Sequence, residues 1–206
     1  ITPGFHTLQT HIGVESRYVE HSIDARLNRK RMFTLKEPIP PSGDISEIVV
    51  EEDPVDSPLH DYTRVLAFGG EGFEYEGYTT EPPYKFTGVR RGAFNTDAVS
   101  HRKGETGGVL DLSEYGKGTS IYINQDNDLQ DEIAEKIARI YDCGFEFLYL
   151  DGSEGVNPPT GINVSLAQYR VASKLAKMPI FTEGAAKSHF GWPLPAGGTP
   201  LYRSLP

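Results

Sequence analysis

The chain has 206 residues, of which 37% are hydrophobic and 24% charged, with 22 Gly and 15 Pro; this is the make-up of a loop-rich globular protein and excludes collagen-like, coiled-coil and low-complexity classes. Twenty basic against 29 acidic residues leave a formal charge of -9, which speaks against a phosphate-reading surface, so no nucleic-acid partner is expected. No apolar run is long enough to span a bilayer, so no membrane partner is expected, and the single cysteine, Cys143, permits neither an internal disulfide nor a cysteine zinc cluster.

The chain opens on Ile1-Thr2-Pro3-Gly4-Phe5, with neither an initiator Met nor a signal-peptide core, and reads as a fragment of a longer polypeptide. Pro3 to Leu8 is expected to be a strand, and it carries His6. Residues 14 to 118 are different in character: short apolar runs (Glu47–Glu51, Arg64–Phe68, Tyr84–Val89) are broken by Gly and Pro, which predicts an antiparallel β excursion, a meander or small sandwich. Within it, Arg90-Arg91 and His101-Arg102-Lys103 are either a solvated face or contacts for a sulfate or uronate. Phe68-Gly69-Gly70-Glu71-Gly72-Phe73 lacks the Lys and the helix of a phosphate-cradling loop.

Thr119 to Asn124 reads as a further strand. A helix is predicted from Asn127, where Asn127 and Gln130 have capping-box spacing; Leu129, Ile133, Ile137, Ile140 and Tyr141 form one apolar stripe, and Gly144 stops it. Phe145 to Leu150 is nearly all apolar, as a strand buried on both faces of a parallel sheet would be, and Asp151-Gly152 ends it. A polar loop holding Glu154 follows, then a helix from about Val164 to Lys177 and a strand, Met178 to Thr182, ending at Glu183. Strand, helix, strand with short connections is βαβ grammar. The α/β part is thus expected to comprise residues 1–13 and 119–206, with 14–118 inserted.

Ligands of parallel sheets gather at the carboxyl ends of the strands. Asp151 and Glu183 are therefore the candidate catalytic carboxylates, a pair suited to work on a glycosidic bond, with His6, Glu154, His189 and Trp192 as candidate substrate contacts. Asp-Gly is equally a turn dipeptide, and Glu183 could instead pair with Lys187 or an Arg. His6 and His11 have no third ligand at recognisable spacing, so neither a metal nor another cofactor is expected. The only tryptophan lies in His189-Phe190-Gly191-Trp192, placed either to stack on a sugar ring or to pack in a core.

The order Gly4-Phe5-His6-Thr7, a long excursion, a helix over Asn127–Asp142 and then Phe147-Leu148-Tyr149-Leu150-Asp151 resembles the middle of the (β/α)8 (TIM) barrel of retaining glycoside hydrolases of the melibiase (α-galactosidase) type. The resemblance implies that Asp151 is the nucleophile and that Pro179 to Gly184 is the following strand, whose polar residue lines the sugar pocket, while the acid/base lies on a strand past Pro206. Tyr149 stands where that family carries a basic residue, and Ala185-Ala186-Lys187-Ser188-His189 replaces its glycine-rich sugar-binding loop. The implied protein is part of a TIM barrel completed by further polypeptide or other chains, acts on an oligo- or polysaccharide, and is extracellular or periplasmic in a bacterium. Two other readings stand beside it. One is a polysaccharide lyase on the same scaffold, in which His6, His189 or a Tyr takes the proton α to a uronate carboxylate; the other is a non-catalytic carbohydrate-binding protein using the excursion and Trp192.

Overall fold

A computed structural model of the protein describes residues 2–114, 116–152, 160–184 and 196–197. The elements in chain order are β1 (Gly4–Thr7), β2 (His11–Gly13), β3 (Arg29–Thr34), β4 (Glu47–Val49), β5 (Val65–Phe68), β6 (Glu71–Glu74), β7 (Gly77–Tyr78), β8 (Lys85–Thr87), β9 (Arg90–Arg91), a 3-10 turn (Ala93–Asn95), β10 (Thr106–Leu110), β11 (Ser120–Tyr122), α1 (Leu129–Tyr141), β12 (Phe147–Leu150), α2 (Thr160–Lys174), β13 (Phe181–Gly184) and β14 (Ala196–Gly197). They fall into two compact units, Ile1–Thr10 with Asn124–Pro206, and His11–Ile123.

The expected fold, part of a TIM barrel with an inserted β excursion, has to be corrected. Among the described residues there are two α-helices, three antiparallel sheets and one four-stranded parallel sheet, and no eightfold strand–helix alternation. The strand read at Thr119–Asn124 does not join the parallel sheet. Its central part, β11, pairs antiparallel with β2, Ile121 opposite Ile12. The physical reason is visible in Ser120-Ile121-Tyr122, whose alternation buries only Ile121; that is the habit of a one-faced antiparallel strand, not of a parallel strand covered on both sides.

In the unit of residues 1–10 and 124–206, β1, β12, β13 and β14 lie side by side in that order, all parallel. Leu148 and Leu150 point to one face and are buried with Ala134 and Tyr141 of α1 and Val171 of α2. Phe147 and Tyr149 point to the other face and are only half-buried. The strand is thus covered less evenly than its apolar sequence predicts. α1 begins where expected, and of its expected stripe Leu129 and Tyr141 are buried, Ile133 and Ile137 half-buried and Ile140 48% exposed, the buried side being completed by Gln130, Ala134 and Ala138. Small Ala side chains at the contact let the helix backbone approach its neighbours closely. The reciprocal capping box is not made: Asn127 Oδ1 accepts from the Leu129 amide at 3.0 Å, whereas Gln130 Oε1, the acceptor such a box would use, accepts from Gln125 Nε2 at 2.7 Å. The last helix spans Thr160–Lys174 and the next strand starts at Phe181, so Glu183 lies inside β13 and not past its end; Met178 and Ile180 are exposed.

The unit of residues 11–123 is antiparallel throughout its named strands: a five-stranded sheet in the order β3-β10-β5-β6-β9, a three-stranded sheet β4-β8-β7, and the β2/β11 pair. Glu47–Val49, Val65–Phe68 and Lys85–Thr87 fall within the three runs read as strands. Its core is aromatic and aliphatic, with Phe33, Leu66, Phe68, Phe73, Tyr75, Phe86 and Val109 buried together.

Candidate functional site

The half-buried face of the parallel sheet collects the polar candidates. Register pairs His6 with Tyr149, and Tyr149 with Glu183. Since side chains alternate along a strand, one row of that face reads His6, Tyr149, Glu183, and the row toward the strands' amino ends reads Gly4, Phe147, Phe181. The Phe147 and Phe181 rings stack at 5.2 Å. A Cβ built on Gly4 would collide with the Phe147 ring, so a glycine is needed there to let that ring lie flat. The result is an apolar row beside a polar one.

Asp151 follows β12 directly and lies on this face. Its Oδ2 is 3.0 Å from His6 Nε2, and its Oδ1 accepts from the Gly152 amide at 2.8 Å. Gly152 has φ +81°, the left-handed region that glycine enters without penalty. His6 meets the edge of the Tyr149 ring at 4.9 Å and 88°. The His6 side chain is 64% exposed and that of Asp151 32%, so solvent and solutes reach both. The Asp151 amide donates to the Thr7 carbonyl at 2.9 Å, which extends the β1/β12 ladder by one rung.

Asp151, His6 and Glu183 therefore share one face, and Asp151 is at once a turn residue bonded to its own Gly152 and an accessible carboxylate. Glu154, His189 and Trp192 lie outside the described residues, as does the loop of Ala185 to His189. Among the described residues no group of three or more His, Cys, Asp or Glu side chains is placed to hold a metal. No helix among them is long and apolar enough to cross a membrane.

Of the basic groups of the other unit, Arg90, Arg102 and Lys103 are exposed, as a solvated face would be, while Arg91 and His101 differ from either reading of the sequence. Arg91 is neither solvated nor available to an anion: its guanidinium grips Glu71 at 2.6 and 2.8 Å and donates to the carbonyls of Pro40 and Val99. His101 is buried between two carboxylates, with Nε2 3.0 Å from Glu71 Oε2 and Nδ1 2.8 Å from Glu105 Oε1. Burial pushes the Glu71 carboxyl up, but hydrogen bonds from Arg91, the Val99 amide and His101 together outweigh that and hold it below the ordinary glutamate value. This network is internal to its unit.

Sequence reasoning passed over Gln9, which is fully buried and donates from Nε2 to the Asp151 carbonyl at 2.9 Å. A glutamine just after a strand carries no motif; only the pairing of β1 with β12, across more than a hundred residues of chain, brings the two together. No family model, no curated protein and no solved structure matches the chain.

Proposed function

We propose that the chain is a carbohydrate-active enzyme, a retaining glycoside hydrolase whose substrate is an oligo- or polysaccharide met outside the cytoplasm. The observation that carries the proposal is the accessible Asp151 carboxylate, fixed by two donors on the same sheet face as Glu183. Each carboxylate oxygen has two lone pairs, so after accepting from His6 and from Gly152 Asp151 retains one on each oxygen for attack. Strand spacing of about 4.8 Å and a rise of about 3.3 Å per residue put the Cα atoms of Asp151 and Glu183 roughly 8 Å apart, and their side chains can close that to the roughly 5 Å of retaining pairs. In this mechanism Asp151 bonds to the anomeric carbon while Glu183 gives its proton to the departing oxygen. Water activated by Glu183 then cleaves the glycosyl ester, returning the proton. The Phe147/Phe181 row offers an apolar surface to the sugar ring.

Asp151→Asn is expected to lower turnover of activated aryl glycosides by several orders of magnitude, with partial rescue by azide. Unchanged hydrolysis in that variant removes Asp151 as nucleophile. The His6–Asp151 contact favours one other reading, a lyase in which Asp151 orients His6 as a base: with Nε2–H donating to the carboxylate, the lone pair of the neutral ring is on Nδ1. None of Gly4, His6, Phe147, Tyr149, Asp151, Phe181 and Glu183 is an Arg or Lys that could neutralise a uronate, which weakens this alternative. Release of an unsaturated, ultraviolet-absorbing product from a uronate polymer would establish it.

A further inference from the structure

We propose that Gln9 is the positioning residue for Asp151, acting through the single peptide plane that joins Asp151 to Gly152. This rests on the reading above in taking Asp151 as the working carboxylate. A peptide unit is planar, so fixing its carbonyl end also fixes the direction of its N–H. Gln9 Nε2 donates to the Asp151 carbonyl at 2.9 Å, and on the far side of the same plane the Gly152 N–H donates to Asp151 Oδ1 at 2.8 Å. The plane therefore serves as a rigid lever between a buried amide and a half-exposed carboxylate. With Oδ1 held in this way, Oδ2 is presented to His6 Nε2 at 3.0 Å.

Gln9 is itself held on every polar group that matters here. Its Oε1 accepts from the Thr7 hydroxyl at 3.0 Å, while the Asp151 carbonyl, which can only accept, dictates that the nitrogen end faces it. Its main-chain carbonyl accepts from Gln130 Nε2 at 2.9 Å, and Gln130 Oε1 in turn accepts from Gln125 Nε2 at 2.7 Å. Gln9 and Gln130 have no exposed surface, and Gln125 and Thr7 are buried as well. Three buried amides and a hydroxyl form a connected network that holds one orientation, because a flipped amide at Gln9 would set its Oε1 against the Asp151 carbonyl, acceptor to acceptor. The Asp151 amide is already committed to the Thr7 carbonyl, so the strand ladder needs nothing from Gln9. What its side chain adds is control of the plane beyond the strand end.

The test is Gln9→Met, which keeps the length and removes both hydrogen-bonding ends while leaving the main-chain bond from Gln130 intact. Two NMR signals report on the lever without reference to any activity: the His6 ring and the Gly152 amide. If Gln9 positions Asp151, the His6 ring signal moves most of the way toward its place in Asp151→Asn, and hydrogen exchange at Gly152 accelerates. In a parallel assay on aryl glycosides, kcat falls by about 10²-fold with KM little changed, the scale of a misplacement near 1 Å. Should Gln9→Met not fold, Gln9→Glu, which keeps the shape and sets an acceptor oxygen in place of Nε2 against the Asp151 carbonyl, decides the matter by the same two signals. Unmoved His6 and Gly152 signals in a folded variant overturn the proposal, even if its melting temperature falls. Failure of the glycosidase reading looks different: Asp151→Asn then leaves hydrolysis unchanged while the two NMR signals still answer to Gln9.

Discussion

Glu71 has no exposed side-chain surface, yet its charge is kept by Arg91, by the Val99 amide and by His101. Removing one member of such a buried set leaves the others uncompensated, at a cost of about 3–5 kcal/mol. Glu71→Gln should therefore lower the unfolding free energy of the antiparallel unit by that amount at neutral pH, as read from its urea denaturation curve. Because the folded carboxyl is held below its unfolded value, its contribution is fully present above about pH 4.3, the ordinary glutamate value, and fades as pH falls through the lower folded one. Acid titration of wild type and variant checks the sign, since their difference in stability must shrink below pH 4.3 and not above it. Tyr141 makes the opposite case. Its ring is fully buried, and its hydroxyl meets no hydrogen-bonding partner among the described residues. An unsatisfied buried hydroxyl costs about 1–3 kcal/mol, so Tyr141→Phe should leave stability unchanged or raise it, as read by the urea midpoint; a loss above about 1 kcal/mol would reveal a partner. Neither environment could be read from the chain. Arg91 and His101 find Glu71 across 20 and 30 residues of sequence, and no local pattern encodes such a meeting, whereas Asp151-Gly152 is local chemistry and was legible.

At the scale of elements, legibility followed the period of the hydrophobic pattern and failed where small residues carry the contact. The span of α1 was evident from its stripe of Ile and Leu, but the buried face takes only Leu129 and Tyr141 from that stripe and is completed by Gln130, Ala134 and Ala138, because a close approach is built from small side chains. β10 shows the same in a sheet. Thr106-Gly107-Gly108-Val109-Leu110 looks too glycine-rich for a strand, yet it is paired on both sides in the five-stranded sheet, between β3 and β5. A Cβ on Gly107 would run into the Ala67 carbonyl and the Phe68 ring, and one on Gly108 into the Arg31 carbonyl. Backbone cannot swing aside as a flexible side chain can. Gly108→Ala should accordingly cost about 3 kcal/mol, the upper end for overpacking, while Gly13→Ala, whose added methyl meets nothing within 4 Å, should stay within about 0.5 kcal/mol. Equal losses at both sites in thermal unfolding would show that strand glycine is costly in itself and that close approach is not the cause.

At the scale of the whole molecule, the shift from α/β habit to short, Gly-broken strands marks where the chain leaves one unit and returns to it; what the pattern could not reveal is on which side Ser120-Ile121-Tyr122 belongs. That strand and β2 pair with each other, His11 opposite Tyr122 and Gly13 opposite Ser120. The two ends of the antiparallel unit are thus paired neighbours, whose Cα atoms in such a ladder are about 5 Å apart. A unit whose ends meet, with its own aromatic core and its own buried ion network, has what independent folding requires. We predict that residues 11–123 expressed alone fold cooperatively, with a single thermal transition and slow amide exchange in β5, β6 and β10. In that piece Glu71→Gln should again cost about 3–5 kcal/mol, because all of its partners are present: Arg91, Val99, His101 and, through the histidine, Glu105. Correspondingly, a linker of a few Gly and Ser residues between Thr10 and Asn124 should suffice to span the gap left by excision, preserving the His6 ring signal that reports on Asp151. If the isolated piece shows no cooperative transition, its core depends on the remainder of the chain, and the pairing of β2 with β11 is a consequence of that support and not its substitute.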